Sequence, residues 1–367
     1  MVNITVVDLL RLASSIPYAS QIASLTVGAP DDIQFISYNE TFVTDILGPN
    51  VSQALVANTT WQAFHEAGVY NQATNSLYIT SNWAKDPTNP INVTILSLDD
   101  YSVTSKRYPN LSSANGAVAY YPPGTPVNSS AGQEIVFCDQ GDLVNPSQLT
   151  VINPATNTTR VILNSFYGKN FSSINDIKQN PVTGDLWFAD ARYGYWQFFR
   201  PEPVIRPQVY RFEPATGVLQ AVADDFIAPN GIEFSPDFKN VYITDTGTIQ
   251  FSNESATLTN PATIYKYDVS HDGKGLQNRR VFAYADTEAP DGIHADTNGN
   301  IYSACLDGVN VWNEEGVLLG KMVVAGGARN FAWIPGGMII FNEYRAYKVT
   351  LGAEGREVRK DFGHKRS

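Results

Sequence analysis

The chain has 367 residues, 43% apolar and 17% charged, with a net charge of −11 and a pI near 4.8. That is enough for a large core in one or two domains, and the acidic balance with no basic block argues against nucleic acid as a partner. No apolar run reaches the ~18–20 residues that span a bilayer, and two cysteines rule out a disulfide scaffold or a cysteine zinc cluster.

In chain order, "ITVVDLLRLASSIPYASQIASL" comes first. It has the look of a secretory signal, but Asp8 interrupts it and no basic segment precedes it, so an amphipathic helix is expected. Residues 1–58 are expected to form an extension, a short helix followed by a ring-closing strand. Residues 59–367 are expected to form one repeated domain.

The repeat starts near residue 60. Its copies are "HEAGVYNQATNSLYITSNW" from His65, "GAVAYYPPG" through "QEIVFCDQG" from Gly116, and "INDIKQNPVTGDLWFADAR" from Ile174. They continue with "APNGIEFSPDFKNVYITDTG" from Ala228, "APDGIHADTNGNIYSACLDG" from Ala289 and the degenerate "RNFAWIPGGMIIFNEYR" from Arg329. Each is a strand, a turn of Asn, Asp or Gly, and an aromatic-bearing strand. A second hairpin lies between copies, clearest in "QVYRFEPATGVLQAVAD". Two hairpins per unit make a four-stranded antiparallel sheet, and six units predict an all-β, six-bladed β-propeller. "RYGYWQFFRPEPVIRP" lacks strand periodicity and is expected as a loop over one face.

Two further features bear on environment. N-x-S/T sequons occur at Asn3, Asn39, Asn50, Asn58, Asn92, Asn110, Asn128, Asn157, Asn170 and Asn253. Glycan acceptors belong on secreted surfaces, so an extracellular protein is expected, with the cytoplasm as the alternative. Cys138 and Cys305 hold equivalent places in blades two and five, on opposite sides of the ring. They are predicted to be unpaired, buried thiols, far beyond the ~7 Å Cα separation that a disulfide tolerates.

The innermost strand of each propeller blade lines a central channel. Glu66, Asn175, Asn230 and Asp291 start four of these strands. Singly, each has an ordinary explanation, since Asn-Gly and Asp-Gly form turns. Together they offer two carboxylates and two amide oxygens, whose burial is costly unless a cation neutralises it. Hard oxygen donors suit Ca2+, with other divalent cations possible. With only His65, His271, His294 and His364 in the chain, a three-histidine zinc site is not expected.

These motifs, with "YGYWQFFRPEPVIRPQVYRF", "ADDFIAPNGI", "LQNRRVFAY" and "DGVNVWNEEGVLLGK", resemble the gluconolactonase/regucalcin-like superfamily and, more distantly, the paraoxonases. Within the superfamily they resemble most the fungal lactonohydrolases acting on aldonates and D-pantolactone. The likeness runs from His65 to Gly352. It implies a propeller holding one catalytic divalent cation, usually calcium, and hydrolysis of lactones. It assigns Glu66 as the metal glutamate, followed by Ala67-Gly68 where Gly-Pro is more usual, Asn175 as the asparagine of "ND", Asn230 of "PNG" and Asp291 as the aspartate of "PDG". Gly292 stands where paraoxonases carry a further asparagine.

The expected activity is therefore a metal-dependent lactonase acting on a small sugar-type lactone, with Asp291 as ligand and general base, or as ligand alone. The alternatives are a non-enzymatic calcium-binding propeller and a paraoxonase-like aryl ester or phosphotriester hydrolase. Nothing in the sequence sets an oligomeric state. Supporting roles are expected for His65 and for His294, which by strand alternation faces away from the channel. Asp245 is expected in a strand-end network, Arg329 and Asn330 on substrate oxygens, and Tyr193, Tyr195 and Trp196 over the substrate.

Overall fold

The structure, a computed structural model, describes residues 2–25, 32–82, 91–249, 257–287 and 289–358. Asn253 and His364 lie outside them. Among the described residues no helix is long and apolar enough to cross a membrane.

Six antiparallel sheets form the ring. Their innermost strands are Glu66–Asn71, Ala114–Tyr120, Ser173–Gln179, Pro229–Phe234, Ile293–Ala295 and Asn330–Ile334, in blades one to six. Position within a blade sets burial. The second strands Glu134–Asp139 and Leu186–Ala191 are buried along their whole length, because both faces pack on neighbouring blades. Outermost strands such as Val103–Lys106 expose their middle residues. The packed faces are thus near-continuous apolar runs, as doubly covered sheets require.

The first strands of the chain join the last blades. Ser52–Asn58 pairs antiparallel with Arg345–Thr350 and completes blade six, from Ser52 opposite Thr350 to Asn58 opposite Arg345. Gln34–Ser37 pairs with Leu318–Val323 of blade five, and Ile4–Val6 adds a parallel strand outside it. Between these strands Phe42, Ile46 and Leu47 bury into the cluster shared by blades five and six, beside Met322, Phe331 and Trp333. Burial of side chains of this size stabilises by about 1.5–3 kcal/mol each. Gly320 leaves the room, since a Cβ there would lie 2.3 Å from the Phe42 ring.

The N-terminal region contains two short helices, Leu9–Ser14 and Ile16–Ser24, where one was expected. Asp8, which interrupts the apolar run, caps the first by accepting from Arg11 N, and Ser15 caps the second by accepting from Tyr18 N. At the other end of the chain, a 3-10 turn, Arg356–Val358, lines the far end of the channel with Lys178 and His294.

Cys138 and Cys305 are free and buried, and burial pushes both thiols well above their usual range. A thiol reagent is expected to titrate two thiols per chain after denaturation without reductant, and none in the native protein over minutes. Rapid native labelling would contradict the packing.

Candidate active site

The channel-lining strands do not run in regular register. Those of blades one to four slip at Ala67/Val69, Ala114/Ala117, Ile174/Ile177 and Pro229/Ile232. A bulge inserts one unpaired residue and re-aims its neighbours. Each slip falls beside a polar residue at the axis: Glu66, Asn115, Asn175 and Asn230. The glycines that follow three of the axial residues serve close approach. A Cβ on Gly116 would lie 2.6 Å from the Asn175 carbonyl, one on Gly231 2.5 Å from the Asp291 carbonyl, and one on Gly292 2.2 Å from the Asn330 side chain. None of the three has positive φ, so the turn-forming explanation of Asn-Gly and Asp-Gly does not hold here.

The structure brings Glu66, Asn175, Asn230 and Asp291 together. Asn175 Nδ2 donates to Asn230 Oδ1, and Asn230 Nδ2 donates to Asp291 Oδ1 at 2.5 Å. The Asp291 and Glu66 carboxyls are close enough for each to shift the other's proton affinity. Asn115 joins the arc by donating to Asn175 Oδ1. The sequence reading missed it by starting that repeat at Gly116, although Asn115-Gly116 carries the same Asn-Gly signal as Asn230-Gly231.

Asp176 is a second missed residue. It is buried below the arc and accepts from Ile177 N at 2.8 Å and Ile232 N at 3.3 Å. Burial pushes its carboxyl up to about 7 despite the opposing charge of Lys178. Burial, then the charges of Asp291 and Asp176, raises Glu66 well above the carboxylate range. Asp291 is raised by burial and restrained by Arg329, His65 and its hydrogen bonds. Three crowded carboxyls and neighbouring amide oxygens form a donor set that fits a hard divalent cation.

Above the arc lies a cavity of about 430 Å³. Gln62, Asn82, Gln140 and Gln197 give it amide walls, and Ile91 and Ile249 its apolar patches. Glu343, within the degenerate sixth repeat but given no role from the sequence, is its organising anion. Its Oε1 meets His65 Nδ1 at 2.9 Å, Asn82 Nδ2 at 3.1 Å and Arg329 Nε at 3.4 Å. Burial would raise the Glu343 carboxyl, but His65, Arg329 and Asn82 hold it below its usual range.

Residues 103–334, more than half of the chain, match the SMP-30/Gluconolactonase/LRE-like region family. The chain belongs to that family. It is 32% identical over 294 residues to lactonohydrolase oryL of Aspergillus oryzae, a match covering 77% of this chain and 65% of that protein. It is 27% identical over 182 residues to the gluconolactonase of Zymomonas mobilis, 46% of each. This family member therefore spans about two thirds and about half of those relatives' lengths. Among solved structures, a gluconolactonase from Xanthomonas campestris superposes with a TM-score of 0.67 at 21% identity, over 88% of this chain and 96% of that one. Regucalcin from Agrobacterium tumefaciens, a calcium-binding protein, superposes with a TM-score of 0.58 at 16% identity, over 83% and 96%. These likenesses show the shared fold.

The remaining predicted residues of this family member divide. His65, Arg329 and Tyr193 line the cavity, with Tyr193 OH 3.4 Å from Asn230 Nδ2. Trp196 packs edge-on behind Tyr193, with centroids 5.6 Å apart, and does not line the cavity. Tyr195 is 40% exposed and also outside it; Gln197 reaches in instead. Arg200 pins this loop, its guanidinium donating to the carbonyls of Ser172, Asp142, Asn145 and Phe171. Asp245 is a strand-end clamp away from the cavity, accepting from Ile227 N and Ala228 N as Asp190 does from Ser172 N and Ser173 N.

Asn330 is also displaced from its expected role. It is buried outside the cavity and donates to Glu66 Oε2 at 2.8 Å. Its Oδ1 accepts from Phe331 N and meets His294 Nε2 at 3.1 Å. His294 points into the channel, contrary to the alternation argument, because its strand begins only at Ile293. Glu233, His294 and Glu357 gather within 4.8 Å of one another. The Lys178 ammonium sits among them, 2.6 Å from Glu357, 3.1 Å from His294 and 3.3 Å from Glu233. Burial and Lys178 push His294 down to about 3, so Nε2–H donates to Asn330 and Nδ1 accepts from Lys178. An internal ammonium already supplies this cluster's positive charge.

The raised carboxyls fix a pH dependence. Glu66, Asp176 and Asp291 keep protons in the folded state that the unfolded chain has lost, so without a cation stability falls as pH rises from about 4 through 7. A divalent cation held by this donor set would offset the ionised forms. The gain in Tm on adding calcium is expected to be larger at pH 8 than at pH 5. A gain independent of pH would show that calcium binds elsewhere.

Proposed function

We propose that this protein is a divalent-cation-dependent lactonase that opens a small, hydroxyl-rich lactone to its hydroxy acid. The observation that carries the reading is the convergence of Glu66, Asn175, Asn230 and Asp291 at the floor of a polar cavity. Relatives named lactonohydrolase and gluconolactonase support the activity, and a structural neighbour named as calcium-binding supports calcium as the ion. The amide walls favour a sugar-type lactone over an aryl ester, whose ring needs apolar walls.

Glu66, Asn175, Asn230 and Asp291 hold the cation in this reading, with Asn115 within reach as a further oxygen donor. The cation supplies Lewis-acid polarisation of the lactone carbonyl. The protein's own groups do the rest. Asn330 fixes the rotamer of Glu66, and Thr246 and Tyr193 fix that of Asn230. Asp291 accepts a proton from water as its oxygen bonds to the carbonyl carbon. The ring C–O bond then breaks, and Asp291 returns the proton to the departing ring oxygen. A cation beside Asp291 would lower its proton affinity, which favours return of the proton to the ring oxygen. A second reading gives the proton to His65, which lines the cavity with Nδ1 tied to Glu343. An extracellular location is part of the proposal, supported by the nine described sequon asparagines, none of which is buried.

A panel of aldonolactones and D-pantolactone, followed by acid release, tests the function. Hydrolysis abolished by chelator and restored by calcium is expected. Tight calcium binding with silence across the panel would favour a non-enzymatic binder. Asp291→Asn is expected to lower kcat by at least ~10²-fold while calcium remains bound. If it stays active and His65→Gln does not, the proton belongs to His65.

A further inference from the structure

Five blades place an oxygen-bearing side chain at the axis: Glu66, Asn115, Asn175, Asn230 and Asp291. Blade six breaks the series. The same relation between neighbouring blades that sets the Asp291 carbonyl beside Gly231 sets the Arg329 carbonyl 3.1 Å from Gly292 N. Arg329 therefore holds the sixth axial position. A guanidinium has no lone pair for a cation and is repelled by one.

Its surroundings show what it is held for. Arg329 lines the cavity, with its side chain 29% exposed. Nε is taken by Glu343, and Glu343 is shared with His65 and Asn82. Nη1 and Nη2 have no protein partner among the described residues, so the fork that recognises carboxyl oxygens stays available. Beside the Glu343 and Asp291 carboxyls, and with a cation held by the arc, this guanidinium would be best accommodated with a negative oxygen between the two positive groups.

The geometry points to Arg329 as a catalytic residue that binds the reacting acyl oxygens through Nη1 and Nη2: the lactone carbonyl as it gains charge, and the carboxylate of the hydroxy-acid product. This rests on the lactonase reading. It predicts strong product binding, because the product is the more negative ligand.

The test uses full-length calcium-loaded protein, with D-gluconate and D-glucono-1,5-lactone as probes. Arg329→Gln is expected to weaken gluconate about 30- to 100-fold by calorimetry, the loss of a charge-assisted bidentate contact. kcat/KM should fall at least as far, while calcium affinity holds or rises as repulsion is removed. Sorbitol, a neutral polyol, should bind equally to both proteins. Arg329→Lys should recover part of the gluconate affinity, and guanidinium ion should partly rescue Arg329→Ala, which a merely structural role would not allow. Gluconate affinity and turnover both surviving Arg329→Gln would overturn the assignment and leave the lactonase reading intact. A wild-type protein that opens no lactone would remove both.

Discussion

The organising constraint is electrostatic crowding at the axis. Six strands converge there, and three of the side chains they bring, Glu66, Asp176 and Asp291, are carboxyls held where water is scarce. Carboxylates so placed stay protonated or gather positive charge. The protein answers differently at the two ends of its channel. On the cavity side, Arg329 and His65 stand at the edge, restrain Asp291 and are themselves tied to Glu343. On the far side, Lys178 and Arg356 sit directly among Glu233 and Glu357. One end is left short of positive charge and open; the other is internally paired and stoppered by the turn at Arg356–Val358.

The two ends are mechanically connected. Glu66 is held by Asn330, Asn330 by His294, His294 by Lys178, and Lys178 by Glu357. Such networks are rigid when every member is satisfied. The cavity wall has its own brace, in which Glu343 gathers His65, Asn82 and Arg329 from separate parts of the chain. A half-buried anion with several donors fixes orientation more firmly than packing alone.

The propeller was legible in the sequence because its repeats carry turn residues and aromatic strands at regular intervals. Four axial residues were legible because they recur at the start of those repeats. Asn115 was lost through a one-residue offset. Asp176 was not legible because strict alternation puts neighbours on opposite faces, and a bulge cancels alternation where it matters. The same assumption misdirected His294, whose strand begins after Asp291. Glu343 sits past a strand end at φ 54, in a conformation no motif announces. The short helix and single strand expected for residues 1–58 left no place for Phe42–Leu47, a π-helix whose Phe42, Ile46 and Leu47 bury deeply.

Pairing Ser52–Asn58 with Arg345–Thr350 also has a consequence for synthesis. Blade six cannot be completed until residues near 350 have left the ribosome, about 300 positions after its outer strand was made, a separation that slows folding. The early strand must wait with an unpaired edge while the other blades assemble. The circle shuts only once Arg345–Thr350 has emerged, so a nascent chain cut short before that strand presents an open arc to chaperones.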